Sequence, residues 1–195
     1  MTELACRMKK LQSNLDLTVF CSDSSKDEFL KRKKNREIYN GVKVVRVSNK
    51  GKQHGSIFKR IIFSFSFLFK TLIYCLLNSS KFDKILLTTN PPFLGIVPYL
   101  MNLIFNVPYI FICYDIYPQI AVKLEVVSKN SLVNIIWSKL NKYIYNSAEK
   151  VVVIGNDMLN KVSKEMKIKD KKKLELIHNW SDKESVYSVD KKKNK

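Results

Sequence analysis

Glycine is scarce in this chain, with five residues in 195, and glycine-rich phosphate loops are missing. Neither G-x-G-x-x-G nor G-x-x-x-x-G-K occurs, which argues against a dinucleotide-binding or P-loop protein. His54 and His178 are the only histidines, and the four cysteines show no C-x-x-C spacing, so we expect no metal site. Cys21, Cys75 and Cys113 lie in apolar runs, as the buried thiols of a reduced, cytosolic protein do.

Acidic residues are also few, because 17 Asp and Glu face 35 Lys and Arg and leave a formal net charge of +18. The excess is concentrated in 26–60, with twelve basic residues against three acidic ones, and in 167–195, with ten against five. This charge suits an anionic membrane surface, nucleic acid or solvated loops. The basic runs carry no interleaved aromatic residues, so binding to nucleic acid is an alternative that rests on charge alone. We therefore expect no nucleic-acid partner.

A long uncharged segment, 85–114, carries the main information on fold class. Its four prolines divide the segment into pieces of strand or short-helix length, because proline interrupts both a membrane-spanning helix and a long core helix. The predicted order is strand Phe82–Thr89, loop Asn90–Pro92, helix Phe93–Phe105 and strand Pro108–Tyr114. Two strands that are apolar along their whole length and are joined by a helix predict an α/β fold with a doubly wound parallel sheet.

The ends of these two strands predict a site, since the chemistry of open α/β sheets lies at the carboxyl ends of their strands. The first end is Thr89-Asn90-Pro91, and the second contains Asp115 and Tyr117. A carboxylate at Asp115 can accept a proton from an attacking hydroxyl or orient it. The alternative is an aspartate that caps the following turn through backbone amides.

The segment 57–77 is apolar apart from Lys59, Arg60 and Lys70. Three interpretations stay open: a helix packed on the sheet, a membrane-spanning helix, and a helix in the membrane interface. For a membrane-spanning helix, the apolar segment 61–77 is short and has a lysine in its middle. In the interface, the three basic side chains would contact anionic headgroups.

The remaining elements follow from periodicity and composition. We expect Ser22 to Asn40 to be a polar, mobile loop. Between 131 and 145 the pattern predicts a helix with one apolar side, formed by Leu132, Ile135, Ile136, Leu140, Tyr143 and Ile144. Further predicted elements are a helix Thr2–Ser13, strands Leu15–Cys21, Val42–Val47, Lys150–Ile154 and Leu174–Ile177, and a helix from 156 or 157 to Met166.

Four segments resemble the amino-terminal domain of family 4 glycosyltransferases, of the kind that builds bacterial surface polysaccharides. They are K-I-L-L-T-T-N-P-P at 84–92, P-Y-I-F-I-C-Y-D-I-Y-P at 108–118, A-E-K-V-V-V-I-G-N-D-M-L at 148–159 and L-I-H-N-W-S-D at 176–182. The resemblance implies a Rossmann-like domain, one half of a GT-B architecture. It also implies retaining transfer of a sugar from a nucleotide sugar to a lipid-linked or oligosaccharide acceptor, without metal or cofactor.

The resemblance also implies roles for particular residues. Asp115 would be catalytic, Thr89, Asn90, Pro91 and Tyr117 would contact the acceptor, and His178 and Asn179 would lie at the crossover to a second domain. Gln119 stands where relatives usually carry Glu, which argues against acid or base chemistry at that position. The protein would be cytoplasmic and peripheral to the inner face of the membrane.

Parts of the family's architecture are expected to be missing. Relatives bind the donor in a second domain through two glutamates spaced eight positions apart, and no two of the eight glutamates here have that spacing. A first, central strand also precedes the helix that Thr2-Glu-Leu-Ala resembles. We therefore expect one incomplete, marginally stable and inactive domain at 1–182, followed by a basic tail at 183–195. The alternative is a noncatalytic docking or acceptor-binding subunit whose partner chain supplies the donor domain.

Overall fold

The computed structural model describes residues 2–22, 35–47 and 57–179, which fold as two compact units. Unit 1 is formed by Met1–Asp83 and Pro91–Val107, and unit 2 by Lys84–Asn90 and Pro108–Lys195. The predicted boundary between 182 and 183 lies outside the described residues. The fold is α/β, as predicted, with a parallel four-stranded sheet flanked by helices that is consistent with a Rossmann-like fold.

Unit 1 contains a three-stranded sheet of order β1-β3-β2, in which β1 is parallel and β2 antiparallel to β3. Its elements are α1 (Thr2–Leu11), β1 (Thr18–Ser22), β2 (Arg36–Tyr39), β3 (Val42–Val47), α2 (Ile57–Leu77) and α3 (Ile96–Phe105). Val42 and Val44 of β3 are buried. The ring of Phe20 lies 5.9 Å from that of Phe67 and 4.7 Å from that of Tyr74, so one side of α2 packs on β1.

The expected loop from Ser22 to Asn40 is wrong over its last part, because β2 occupies Arg36–Tyr39. Tyr39 pairs with Val42, so Asn40 and Gly41 form a two-residue hairpin loop, and both have positive φ, 48° and 76°. Asn-Gly is the dipeptide that such tight hairpins favour. That dipeptide was the signal in the sequence that could have predicted β2. Residues 23–34 of the expected loop lie outside the described part of the chain.

Helix α2 supports in part the first of the three interpretations of 57–77, a helix packed on the sheet. Phe63, Phe67 and Cys75 are buried, so the helix does pack within unit 1. Lys59–Leu77 is nevertheless long and apolar enough to cross a membrane by length and composition, and only 17% of the apolar window is buried. Its other side exposes a row of large apolar side chains that includes Phe65, Phe69, Ile73 and Leu77. This row leaves the interfacial interpretation open.

Unit 2 is built on a fully parallel sheet of order β4-β5-β6-β7. Its elements are β4 (Ile85–Thr88), β5 (Tyr109–Cys113), α4 (Gln119–Lys123), α5 (Leu132–Ser147), β6 (Lys150–Val153), α6 (Asn156–Glu165) and β7 (Leu174–Leu176). The parallel direction of all four strands agrees with the predicted parallel sheet. Short 3-10 turns at Ser79–Lys81, in unit 1, and Lys171–Lys173, in unit 2, complete the described structure.

The core of unit 2 lies against the central strands, β5 and β6. Tyr109 and Tyr145 are essentially inaccessible, and the ring of Tyr145, on α5, lies 4.6 Å from that of Phe111 on β5. The hydroxyl of Tyr109 donates to the carbonyl of Ile144, so this buried polar group is satisfied. Helix α5 is thereby held on the sheet by aromatic packing.

The side of α5 that packs inward is not the predicted one. The buried residues of this helix are Trp137, Asn141, Ile144 and Tyr145. Of the predicted apolar side, Ile144 alone is buried, Leu140 is half-buried, and the other four members are exposed: Leu132, Ile135, Ile136 and Tyr143. The aromatic rings and the buried amide of Asn141 make specific contacts on the inward side of α5. Helical periodicity does not predict such contacts, so it indicated the aliphatic side instead.

Candidate functional site

The candidate site lies at one edge of the unit 2 sheet, where the carboxyl ends of all four parallel strands meet. Thr89 directly follows β4, and Asp115 lies two residues beyond β5. His178 lies two residues beyond β7. The parallel register brings these positions to the same edge, as the sequence predicted for the first two strands.

Thr89 joins the ends of β4 and β5. Its side-chain oxygen accepts hydrogen bonds from the backbone amides of Tyr114, at 3.2 Å, and Asp115, at 3.1 Å. Thr89 is 6% exposed, one of two buried polar residues among the described positions. Its hydroxyl oxygen is therefore used to hold the backbone that carries Asp115. The sequence placed Thr89 in the site but did not predict this positioning contact.

Asp115 is half-buried, and its carboxylate makes no hydrogen bond or ion pair within the described part of the chain. The backbone at this position is engaged on both sides, because its amide binds Thr89 and its carbonyl accepts from the thiol of Cys113 at 3.5 Å. The alternative of a side chain that caps the next turn has no such hydrogen bond in the described residues. The geometry leaves the carboxylate available to a ligand on a fixed backbone.

Tyr117 is anchored by two contacts from α5. Its ring stacks on Trp137 with 5.4 Å between centroids and 10° between planes, and its carbonyl accepts from the side-chain amide of Asn141 at 2.7 Å. Trp137 and Asn141 are both buried. These two residues support the loop that follows Asp115, and the sequence analysis missed both. A polar residue four positions after a tryptophan, which places both on one side of the helix, was the available signal.

A buried thiol and phenol lie beneath the same loop. The Cys113 sulfur and the Tyr145 hydroxyl are 3.2 Å apart. Burial raises the pKa of Cys113 to about 11 and that of Tyr145 well above its ordinary value. Both groups are neutral near pH 7, so they act as part of the core and not as a nucleophile. This agrees with the prediction of buried thiols for Cys113 and for Cys75, whose pKa desolvation raises to about 11. The prediction is wrong for Cys21, which is only half-buried.

His178 and Asn179 are exposed, and a nitrogen of the His178 ring lies 3.2 Å from the carbonyl oxygen of Ile154. Since Ile154 follows β6, this contact places the histidine at the same sheet edge. Asn90 is exposed beside Thr89, and its carbonyl accepts from Thr88 at 3.3 Å. The structure therefore brings the predicted residues at 89, 90, 115, 117 and 178 to the carboxyl ends of one sheet.

Other predicted residues lie elsewhere. Pro91 begins the part of the loop that belongs to unit 1. Lys59 and Arg60 are exposed and Lys70 is half-buried on α2, also in unit 1. Within 2–22, 35–47 and 57–179, no three His, Cys, Asp or Glu side chains converge as a metal site would require.

Gln119 is the remaining polar group near this edge. Its side-chain oxygen is buried and has no hydrogen-bond partner among the described residues. It begins α4, directly after the loop that carries Asp115 and Tyr117. An amide there carries no charge, so this position contributes no ionisable group to the edge.

Fold and site together define an α/β protein with a polar site at the carboxyl ends of parallel strands. No known family profile matches the chain. It is 32% identical over 107 residues to a protein of Pseudomonas aeruginosa described as "Probable glycosyltransferase WbjE". The match covers 55% of this chain and 26% of that relative, so the chain spans about a quarter of its length. The similarity supports a glycosyltransferase assignment in general terms.

Proposed function

We propose that this chain forms the acceptor-side part of a glycosyltransferase of the family 4 type, with the GT-B architecture. It would serve the transfer of a sugar from a nucleotide sugar to a lipid-linked or oligosaccharide acceptor in cell-surface polysaccharide synthesis. The observation that carries the proposal is the half-buried Asp115 carboxylate, which has no partner among the described residues and stands on a backbone held by Thr89. The partial similarity to a glycosyltransferase supports the same class.

In this proposal Asp115 accepts a hydrogen bond or a proton from the acceptor hydroxyl that attacks the donor sugar. Thr89 has its side-chain oxygen committed to two amides, so its part is to position Asp115. Asn90, Pro91 and Tyr117 contact the acceptor around this carboxylate. His178 and Asn179 continue the chain toward a donor-binding domain.

The nucleotide sugar would be bound elsewhere, because no two of the eight glutamates have the spacing that the resemblance associates with donor binding. The chain alone would then bind acceptor and transfer nothing. The same observation favours a second candidate, a noncatalytic docking or acceptor-binding subunit whose partner chain carries the donor domain. Co-purification of a protein that binds nucleotide sugars would favour this second candidate.

We also propose that α2 lies on an anionic membrane at the inner face. Support comes from its exposed apolar row, exemplified by the 61% exposed Phe69, and from Lys59, Arg60 and Lys70. Replacing Phe69 by Ser should weaken sedimentation with phosphatidylglycerol vesicles, while binding to soluble saccharide stays unchanged. Equal sedimentation of Phe69→Ser and the parent would count against this contact.

The acceptor site is tested by NMR titration of the full chain with short-chain prenyl-diphosphate-linked mono- and disaccharides. We expect shifts of the amides at 89–90 and 114–117, and a rise in Kd of about tenfold or more for Asp115→Asn, which loses a charge-assisted hydrogen bond. Asp83→Asn removes the same charge at an exposed position before the amino end of β4, and should bind as the parent does. Shifts confined to other regions, or none with any saccharide of the panel, would refute the acceptor site.

Incubation of the chain with UDP-, GDP- and dTDP-sugars and the same acceptors tests the donor statement separately. We expect no product from the chain alone. Product formation would overturn the proposal that donor binding resides elsewhere, while leaving the acceptor site standing.

A further inference from the structure

Helix α5 presents its most apolar side to solvent. Leu132 is 76% exposed and Ile136 65% exposed, and Ile135 and Tyr143 are more than half exposed. The opposite side is buried although it contains Asn141. A surface helix of a globular protein normally has the reverse arrangement, with its apolar stripe inward. The turn before the helix adds two exposed apolar residues, Leu124 and Val126.

This surface, which we call the α5 face, is held rigidly at its amino-terminal end. The hydroxyl of Ser131 accepts from the amide of Asn134 at 3.2 Å and caps the helix. The side-chain amide of Asn134 donates to the carbonyl of Lys129 at 2.6 Å, which ties the preceding turn to the first helical turn. The apolar side chains thus project from a fixed scaffold, so little conformational entropy is lost when they are covered.

The charge around the α5 face selects among possible occupants. From 124 to 148 the one acidic residue is the exposed Glu125, whereas Lys129, Lys139 and Lys142 supply three positive charges. A second copy would bring the same lysines together, and the whole chain already carries +18. An anionic occupant with an apolar layer behind its charges satisfies both features of the face.

We propose that the α5 face is a contact surface for an anionic lipid bilayer. Leu132 and Ile136 enter the boundary between headgroups and acyl chains, and Lys129 and Lys139 bind lipid phosphates. A helix that lies in the interface buries its apolar side by about 5–10 Å, and lysines near the surface add electrostatic attraction. This surface belongs to unit 2, whereas α2 belongs to unit 1, and the proposal does not depend on the proposed transferase activity.

The charge requirement is tested with vesicles of phosphatidylcholine containing phosphatidylglycerol. We expect the Lys129→Gln/Lys139→Gln double variant to bind about tenfold more weakly. The matched control, Lys161→Gln/Lys164→Gln, removes two exposed lysines of α6 in the same unit, and should change binding less than threefold. Equal losses in the two double variants would show unspecific attraction by net charge and overturn the proposal.

Insertion is tested by placing tryptophan at Leu132, with Asn160→Trp on α6 as the matched control. Brominated lipid should quench the fluorescence that Leu132→Trp adds to the fluorescence of the parent. It should not quench the fluorescence that Asn160→Trp adds. Leu132→Ser/Ile136→Ser should lower vesicle binding by about tenfold or more, with an unchanged urea midpoint because both side chains are exposed. Equal quenching of the two tryptophan variants would overturn the proposal. A dimer formed by the parent but not by the serine variant would also overturn it, because the α5 face would then bind a second copy.

Discussion

Replacing Thr89 by Val tests the central structural feature of the candidate site. Valine has nearly the same shape as threonine but lacks the oxygen that accepts from the amides of Tyr114 and Asp115. The change therefore removes two hydrogen bonds while it keeps the packing of a side chain that is 6% exposed. What it perturbs is the junction between β4 and β5.

The expected magnitude follows from the two amides that lose their acceptor. A buried donor left without a partner costs about 1–3 kcal/mol. Tyr114 and Asp115 are half-buried, so water reaches part of this backbone and the lower half of that range applies. For two amides at about 1–2 kcal/mol each, we expect the free energy of unfolding to fall by about 2–4 kcal/mol, a large part of the roughly 5–15 kcal/mol that stabilises a typical domain.

Urea unfolding of the purified chain, together with hydrogen exchange of the two amides, measures this effect. Thr89→Ser keeps the oxygen and should retain the slow exchange of both amides. Thr88→Val removes a single 3.3 Å bond to the Asn90 carbonyl at an exposed position and should cost less than about 0.5 kcal/mol. A loss under about 0.5 kcal/mol for Thr89→Val, with unchanged amide exchange, would refute the reasoning.

Three further predictions concern the same unit. Asp115→Asn should change the free energy of unfolding by less than about 0.5 kcal/mol, because the carboxylate has no partner in the described residues; a larger loss in urea unfolding would reveal a structural role. Asn141→Leu removes the amide that donates to the Tyr117 carbonyl and should cost about 1–2 kcal/mol in the same assay. As pH rises from 9 toward 11, the unfolded chain releases the Cys113 proton while the folded chain keeps it, which lowers stability by up to about 1.4 kcal/mol per pH unit. Cys75 and Tyr145, whose pKa values are also raised, add to this fall. Urea midpoints that stay constant between pH 8 and 10.5 under reducing conditions would contradict this last expectation.

Much of the fold was predictable from local pattern. The strands around 85–88, 109–113 and 150–153 stand out as apolar runs between turn residues, and the structure has them in these places. Asp115 and Thr89 could be assigned to one edge because parallel strands place their carboxyl ends together. The role of the Thr89 oxygen could not be predicted, since it depends on hydrogen bonds between strands 25 residues apart in sequence.

The dipeptide Asn40-Gly41 indicates a strand that was not predicted. A two-residue Asn-Gly loop before an apolar strand predicts a hairpin, and β2 occupies the expected place. Arg36–Tyr39 is short, and only Ile38 in it is aliphatic, so its own pattern is weak. The strand is recognisable from its turn and its partner rather than from its composition.

The order and type of most elements follow from the sequence pattern, because burial repeats every two residues in a strand and every three to four in a helix. Which side of α5 faces the sheet depends instead on tertiary contacts. Its aliphatic stripe predicted one side, whereas the stacking of Trp137 on Tyr117 and the Asn141 hydrogen bond turned the other side inward. These contacts join α5 to a loop 20 or more residues away, so no periodicity within the helix contains them.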